Sequence, residues 1–159
     1  MSCPLSIRVG LVAALTSLAA GCGIPRDPGG TSERIRVTHG LRVGFSENAP
    51  WIQAGVGEPR GIEPELVRRL TRSLGARVLW VKGSETRLVQ ALEEGKLDLV
   101  IGGFDKTSPW IAKAGVTQPF VRDNQGKQHV FLAQPGENGF ILAVDRMLTE
   151  HKRLSERPS

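Results

Sequence analysis

Apolar residues change their spacing several times along the chain. The stretch "LRVGF" (41–45) is short and largely apolar, which predicts a strand. Apolar residues then recur every three or four positions over 62–75, which predicts a helix. Pro64 suits the first turn of that helix, and Gly75 suits its end. The predicted inward face carries Ile62, Leu66, Val67, Leu70 and Leu74.

The alternation of strand and helix continues. Residues 77–81 predict a second strand, and residues 84–95 a helix with Ser84 as its N-cap and Gly95 after its last turn. Its predicted inward residues are Leu88, Ala91 and Leu92. Residues 97–103 form a nearly continuous apolar run, typical of a strand at the buried centre of a parallel sheet. This order predicts parallel strands joined by right-handed crossovers, with helices on both faces.

The pattern weakens after residue 110. A strand, a turn over 124–126 and a return strand at 129–133 are predicted, followed by a helix over 135–154. That helix places Phe140, Leu142, Val144, Met147 and Leu148 among its apolar residues. The sequence has neither an internal repeat nor a second domain boundary. We therefore predict one lobe over 39–150 and a charged tail over 151–159.

The first residues have the features of an export signal. Arg8 precedes an apolar run, 9–20, that is too short to span a bilayer comfortably. The stretch "LAAGC" (18–22) resembles the lipobox of bacterial lipoproteins, which implies cleavage after Gly21 and a lipid on Cys22. A plain secretory signal is the alternative. We expect a signal peptide over 1–21 and a chain anchored by lipid on the periplasmic side of the cell envelope.

Composition predicts a tether and argues against nucleic-acid binding and disulfides. Residues 23–38 are rich in Gly, Pro, Ser and charge, so a flexible tether is predicted over 22–38. The 159 residues carry a net charge of +5, and loss of Arg8 with the signal leaves +4. The basic residues are dispersed without interleaved aromatics, which argues against nucleic acid as a partner. Cys3 would leave with the signal and Cys22 would carry the lipid, so no disulfide is expected.

Catalytic and metal-binding chemistry has little support. The histidines His39, His129 and His151 are far apart in the sequence and lack the spacing of a metal site, so we interpret them as surface or strand-edge residues. No nucleophile elbow, phosphate-binding loop or dinucleotide-binding loop is present. We predict no cofactor, no metal, no catalytic residue and no enzymatic activity.

Recognition of a small molecule fits the sequence better. Ligands of such sheets bind beyond the carboxyl ends of the strands, which selects the loops over 46–53 and 102–110 and predicts that they lie side by side. Aromatic side chains with a few polar groups are typical of small-molecule pockets. Alternatively, Trp51 and Phe104 pack beneath the loops as core. The predicted ligand-binding residues are Glu47, Trp51, Gly103, Asp105 and Trp110.

The order and wording of these segments resemble the family 3 solute-binding proteins, the extracytoplasmic receptors of polar amino-acid ABC transporters. The resemblance is carried by "LRVGFSENAPW", "GIEPELVRRLTRSLGARVLWV", "ETRLVQALEEGKLDLVIGGF" and "TQPF". It implies an α/β fold: a single periplasmic-binding-protein-like lobe with a mostly parallel central sheet. The family has two lobes that close on a ligand, and this chain has room for the first.

A second departure concerns the loop at 102–110. The family presents a "T-x-x-R" phrase whose arginine pairs with the ligand's carboxylate, and here Trp110 stands at the arginine position. An indole offers one donor and no charge, so we expect binding of a free amino acid to be weakened. A cation, an aromatic or sugar-like face, or a protein surface would suit the predicted residues better.

These observations give one expected function and two alternatives. The expected function is a membrane-anchored solute-binding lipoprotein, either the substrate-binding component of an ABC transporter or an accessory, with an altered ligand site. Its partners would be a small polar solute, a permease or other envelope protein, and the membrane. The first alternative is an envelope interaction module that binds no small molecule. The second alternative is an enzyme. It would need a paired acid and base across a closed cleft, and the sequence shows neither.

Overall fold

The computed structural model describes residues 26–155, so Cys22 and the predicted signal lie outside the described residues. The five-stranded sheet has the order β2-β1-β3-β7-β4, and β5 and β6 form a separate two-stranded hairpin. The strands are β1 (Gly40–Phe45), β2 (Arg77–Lys82), β3 (Leu99–Ile101), β4 (Gly115–Val116), β5 (Val121–Arg122), β6 (Gln128–His129) and β7 (Leu132–Ala133). The α-helices are α1 (Thr31–Thr38), α2 (Ile62–Ser73), α3 (Glu85–Glu93) and α4 (Asn138–Ser155), and a 3-10 helix spans Pro109–Lys113.

The predicted parallel centre is confirmed. Strand β1 pairs in parallel with both β2 and β3, whereas β7 pairs antiparallel with β3 and β4, so the whole sheet is mixed. Side chains of β3 alternate between two cores: Leu99 and Ile101 join the core formed with α2 and α4, and Val100 joins the core formed with α3. Helices therefore cover both faces of the sheet, as the sequence predicts.

Helix α2 largely follows its predicted pattern. Leu66, Val67 and Leu70 are buried, and Gly75 has the positive φ of 61° that ends the helix region. Ile62 was predicted to face inward, but it is 49% exposed. It begins the helix and lines an open cavity with Phe120.

Helix α3 also follows its pattern, with Leu88 and Leu92 buried and Gly95 at a φ of 68°. Ser84 occupies the predicted N-cap position, but its side chain makes no capping hydrogen bond.

The predicted tether is wrong for residues 31–38, which form α1. Ile35 of this helix is 2% exposed and packs in the core with α4. The Glu137 carboxylate accepts hydrogen bonds from the backbone N–H groups of Gly29 (2.6 Å) and Thr31 (2.8 Å), and Asp27 accepts one from Phe140 N–H (2.8 Å). These contacts join the segment before β1 to the last helix, so it belongs to the lobe.

The C-terminal region differs from the prediction in two ways. The predicted tail over 151–159 is helical as far as Ser155, because α4 continues to that residue. The predicted return strand at 129–133 is divided between β6 in the hairpin and β7 in the main sheet. The turn at 124–126 forms as expected, with Asp123 Oδ1 accepting the N–H groups of Gln125 and Lys127. Over residues 26–155, no helix has both the length and the apolar character needed to cross a membrane.

Candidate functional site

The two strand-end loops lie side by side, as predicted. Ser46 N–H donates to the Ile101 carbonyl oxygen at 3.2 Å, and Asn48 Nδ2 donates to the Gly102 carbonyl oxygen at 2.9 Å. Since β1 and β3 are parallel neighbours, their carboxyl ends open at the same sheet edge. This edge is the candidate site.

Gly103 lets the second loop approach the first. Its φ is 70°, a conformation that favours glycine. A Cβ atom at this position would lie 2.4 Å from Asn48 Nδ2 and 2.9 Å from Trp51 Cδ1. The close approach of the two loops therefore depends on the absence of a side chain here.

A buried carboxylate connects this loop to α2. Glu63 is 0% exposed, and its oxygens accept the N–H groups of Gly102 (3.0 Å) and Gly103 (3.1 Å). Burial raises the pKa of Glu63 to about 8, although the two hydrogen bonds act in the opposite direction. This role of Glu63 was not predicted, because acidic residues are common in the first turn of a helix and the local sequence does not show which of them become buried.

Four rings form a cluster between the strand-end loops and the β5–β6 hairpin. The Trp51 and His129 ring centroids are 3.8 Å apart, and those of Phe120 and Phe131 are 4.7 Å apart. Trp51 and Phe120 meet edge to face at 6.3 Å, and both are only partly buried. We call Trp51, Phe120 and His129 the aromatic wall. Trp51 and Phe120 can contact a ligand through the exposed parts of their side chains, and the buried ring of His129 packs against Trp51.

His129 is more buried than the predicted surface or strand-edge position implies. It lies in β6, is 3% exposed, and its Nε2 is 3.1 Å from Asp123 Oδ2. That contact holds the pKa of Asp123 below its usual range. The Nδ1 atom of His129 is buried and has no hydrogen-bond partner among the described residues.

The predicted acidic residues both have partners within the protein. Glu47 is exposed and forms an ion pair with Lys82 Nζ at 2.7 Å. Asp105 Oδ1 accepts hydrogen bonds from the Thr107 hydroxyl and from Thr107 N–H, and Oδ2 is 3.5 Å from Lys127 Nζ. The Thr107 hydroxyl is the main reason that the pKa of Asp105 lies below its usual value. Asp105 therefore organises its own loop.

The two predicted tryptophans pack against different cores. Trp51 packs against the core shared by α2 and α4, whereas Trp110 packs against the α3 core on the other face of the sheet. Trp110 Nε1 donates to Glu85 Oε2 at 2.9 Å. The structure thus brings Trp51, Gly103 and Asp105 to the junction of the loops with the hairpin, and it directs Glu47 and Trp110 to contacts with β2 and α3. Phe120 and His129 belong to the wall although they lie outside the two loops.

The surroundings of the wall contain a cavity of about 540 Å³ between the start of α2, the hairpin and the end of α4. Its lining includes Ile62, Leu66, Phe120, Val121 and Arg122. Within residues 26–155, no cluster of three or more His, Cys, Asp or Glu side chains could hold a metal ion.

Comparison with known proteins gives one family and one group of curated relatives. The sequence profile of the bacterial extracellular solute-binding proteins, family 3, matches residues 41–151. Membrane-bound lytic murein transglycosylase F of Vibrio cholerae is 30% identical over 104 residues, covering 65% of this chain and 20% of that protein. The same enzyme of Vibrio parahaemolyticus is 31% identical over 100 residues, covering 62% and 19%. The chain therefore spans about a fifth of the length of these relatives.

Solved structures share the fold at low sequence identity. The arginine-bound form of domain 1 from TmArgBP has a TM-score of 0.66 and 20% identity, over 74% of this chain and 97% of that one. The ancestral amino-acid-binding protein AncCDT-1, described as a precursor of cyclohexadienyl dehydratase, has a TM-score of 0.68 and 15% identity, over 77% and 93%. Both support an α/β lobe of the solute-binding type.

Proposed function

Because the chain belongs to the bacterial extracellular solute-binding proteins, family 3, we propose that it binds a small polar solute such as an amino acid. The observation that carries the proposal is the aromatic wall beside two adjoining strand-end loops. Trp51 and Phe120 keep part of their rings accessible at the sheet edge where ligands of such folds bind. Binding there needs no catalytic group.

A single lobe is compatible with this role. Domain 1 of TmArgBP, whose fold is similar, has a crystal structure of its arginine-bound form. A site on this lobe alone would leave the solute partly exposed to water, so for the lobe by itself we expect weak affinity and fast exchange. The indole of Trp110 donates to Glu85, and no arginine occupies its position to pair with a carboxylate. Contacts with ring faces should therefore dominate, which favours a solute with a cationic or aromatic group.

We further propose that the chain acts at the cell envelope, anchored by a lipid on Cys22. The stretch "LAAGC" (18–22) after an apolar segment supports this, and the transport role of the family supports a permease as partner. We expect Cys22→Ala to move the protein from the membrane fraction to the soluble fraction of exported protein. Unchanged membrane association would contradict the lipid anchor but would leave the solute-binding proposal untouched.

The second candidate is an envelope interaction module that binds no small molecule. The names of the curated relatives favour it, because they are membrane-bound lytic murein transglycosylases in which the matching segment is about a fifth of the protein. The contacts of Glu47, Asp105 and Trp110 within the chain also favour it, since polar groups already engaged are less available to a solute.

A thermal-shift panel separates the two candidates, because a ligand that binds the folded state raises its melting temperature. The full chain in detergent would be tested with basic, neutral and aromatic amino acids, polyamines and sugars. We expect at least one compound to raise the melting temperature of the natural protein, with no response from Trp51→Leu. Trp80→Leu is the matched control, because Trp80 packs on Phe45 away from the wall and should keep the response. Silence across the panel would reject solute binding.

A further inference from the structure

Three basic side chains surround a second groove, which shares Arg122 and Gln128 with the cavity beside Phe120. The groove has a volume of about 400 Å³ and lies between the loop after β3 and the β5–β6 hairpin. Lys106, Arg122 and Lys127 line it together with the polar side chains of Thr107, Gln125 and Gln128. These residues lie at 106–107 and 122–128, so their charges look dispersed in the sequence. The hairpin brings them together in the folded chain.

Hydrogen bonds fix both sides of the groove. Lys106 N–H donates to the Gln128 carbonyl oxygen at 3.0 Å, which ties the loop to the hairpin. In the hairpin turn, Arg122 Nη1 donates to the Gly126 carbonyl oxygen at 3.0 Å. Asp123 Oδ1 accepts the N–H groups of Gln125 and Lys127 at 2.8 and 2.9 Å. The backbone that carries the three cations is thus organised without a ligand, which lowers the entropic cost of binding one.

The groove keeps an excess of positive charge. Asp105 lies 3.5 Å from Lys127, and Asp123 is paired with His129, so these two carboxylates balance only part of the local charge. Within residues 26–155, neither Lys106 nor Arg122 has a carboxylate oxygen within 4.0 Å of its charged nitrogens. Lys106 and the N–H groups of Arg122 other than those of Nη1 therefore remain available to an incoming anion.

We propose that this groove binds a small anion with several charged oxygens, either a di- or tricarboxylate or a phosphate. Arginine and lysine make short, charge-assisted hydrogen bonds with such oxygens, and the guanidinium fork can bind two of them at once. The volume lies within the range of small-molecule pockets and suits a solute of modest size. The inference goes beyond the proposed function, because none of the groove residues belongs to the aromatic wall.

Calorimetric titration of the full chain with citrate, inorganic phosphate and acetate tests the site. At moderate salt, citrate or phosphate should bind saturably with one molecule per chain, and acetate should bind much more weakly. The ratio of citrate to phosphate affinity distinguishes the two sources of charged oxygen. Lys106→Glu should weaken binding by about tenfold or more, because it replaces an attractive charge with a repulsive one. Arg122→Gln should also weaken it.

Lys113→Glu is the matched control. Lys113 is an exposed residue that ends the 3-10 helix and does not line the groove, so this substitution changes the net charge equally and should alter affinity by less than about twofold at moderate salt. Equal loss in Lys106→Glu and Lys113→Glu would show a general charge effect and overturn the proposal. Absence of saturable citrate and phosphate binding to the natural protein would overturn it too.

A cross-comparison separates this inference from the proposed function. Trp51→Leu should abolish the response to the amino-acid panel while leaving anion affinity unchanged. Lys106→Glu should do the opposite. Loss of both responses in both variants would show one shared site and reject a separate anion groove, and melting curves for each variant identify any loss caused by unfolding.

Discussion

Two buried acidic side chains at opposite ends of β3 have different partners. Asp98, just before the strand, is 0% exposed and forms ion pairs with Arg34 and Arg42, both at 2.5 Å. It also accepts the N–H of Arg42 at 2.8 Å. Glu63, packed on the loop just after the strand, is equally buried and accepts the N–H groups of Gly102 and Gly103. No cation lies within 4.0 Å of it among residues 26–155.

This difference indicates that one end of the sheet is held more firmly than the other. The Asp98 end is also held by α1 and by the contacts of Glu137 with the segment before it. At the other end, a carboxyl with a raised pKa holds the loop that borders the candidate site, through N–H groups alone. Segments that bind ligands usually belong to the less stable part of a fold. We therefore expect substitutions at the two ends to affect stability and binding differently.

The largest effect is expected from Asp98→Asn. The substitution leaves Arg34 and Arg42 without their shared counterion, and removing one partner of a buried ion pair costs about 3–5 kcal/mol. Urea unfolding would measure the loss, which should fall toward the lower figure because both arginine side chains are about a third exposed. Glu33→Gln is the control, since its pair with Arg36 is exposed and should contribute little. A comparable loss in both variants would refute the distinction.

The next effect concerns the glycine that allows the loops to meet. Gly103→Ala must place a Cβ atom 2.4 Å from Asn48 Nδ2 in addition to adopting a φ of 70°. Gly75→Ala is a matched control, because its φ is 61° and nothing lies within 4 Å of the added atom. The control should lose about 1–2 kcal/mol from backbone strain alone, and Gly103→Ala should lose about 1–3 kcal/mol more from overpacking. Equal losses in urea unfolding would contradict the close approach of the loops.

The third prediction uses the pH dependence of stability. The pKa of Glu63 is about 8 in the folded state, above its ordinary value of 4.5. Between pH 4.5 and pH 8, the folded state therefore binds more protons than the unfolded state. The contribution of Glu63 to stability is thus complete below about pH 4.5 and is lost as pH rises toward 8, at up to about 1.4 kcal/mol per pH unit.

Glu63→Gln tests this dependence because glutamine cannot ionise. The difference in unfolding free energy between the natural protein and the variant should shift in favour of the variant as pH rises from 5 to 8. Urea unfolding at several pH values gives the curve. Glu65→Gln provides the control, because Glu65 lies on the exposed face of the same helix. A difference between natural protein and Glu63→Gln that does not change with pH would contradict a neutral Glu63.

The sequence predicts the parallel centre well because local spacing determines it. The apolar run ending at Ile101 and the helical repeat in α2 each require only neighbours in the chain, and the parallel order then places the two loops together. Helix α1 was missed because its eight residues contain few apolar positions. What stabilises it comes from far along the chain, where Glu137 accepts the N–H groups of Gly29 and Thr31.

The candidate site was only partly predictable for a similar reason. The fold class predicts that the two strand-end loops lie side by side, which the structure confirms, and Trp51 lies at their junction with the hairpin. Sequence spacing does not show that β6 brings His129 against Trp51, nor that the 3-10 helix directs Trp110 toward Glu85. Loops after neighbouring strands share an edge, but the direction of each side chain depends on contacts made after folding.

The smallest effect is expected from Trp110→Phe, which tests the division between the two tryptophans. Phenylalanine keeps an aromatic ring against the α3 core and removes the Nε1 hydrogen bond to Glu85. Because that bond is exposed, the unfolding free energy should fall by less than about 1 kcal/mol. Affinity for any solute found in the thermal-shift panel should stay within about twofold, since the aromatic wall does not include Trp110. Trp51→Leu should lose that affinity. A strong loss of solute affinity in Trp110→Phe as well would place both tryptophans in one binding surface and contradict the distinction between them.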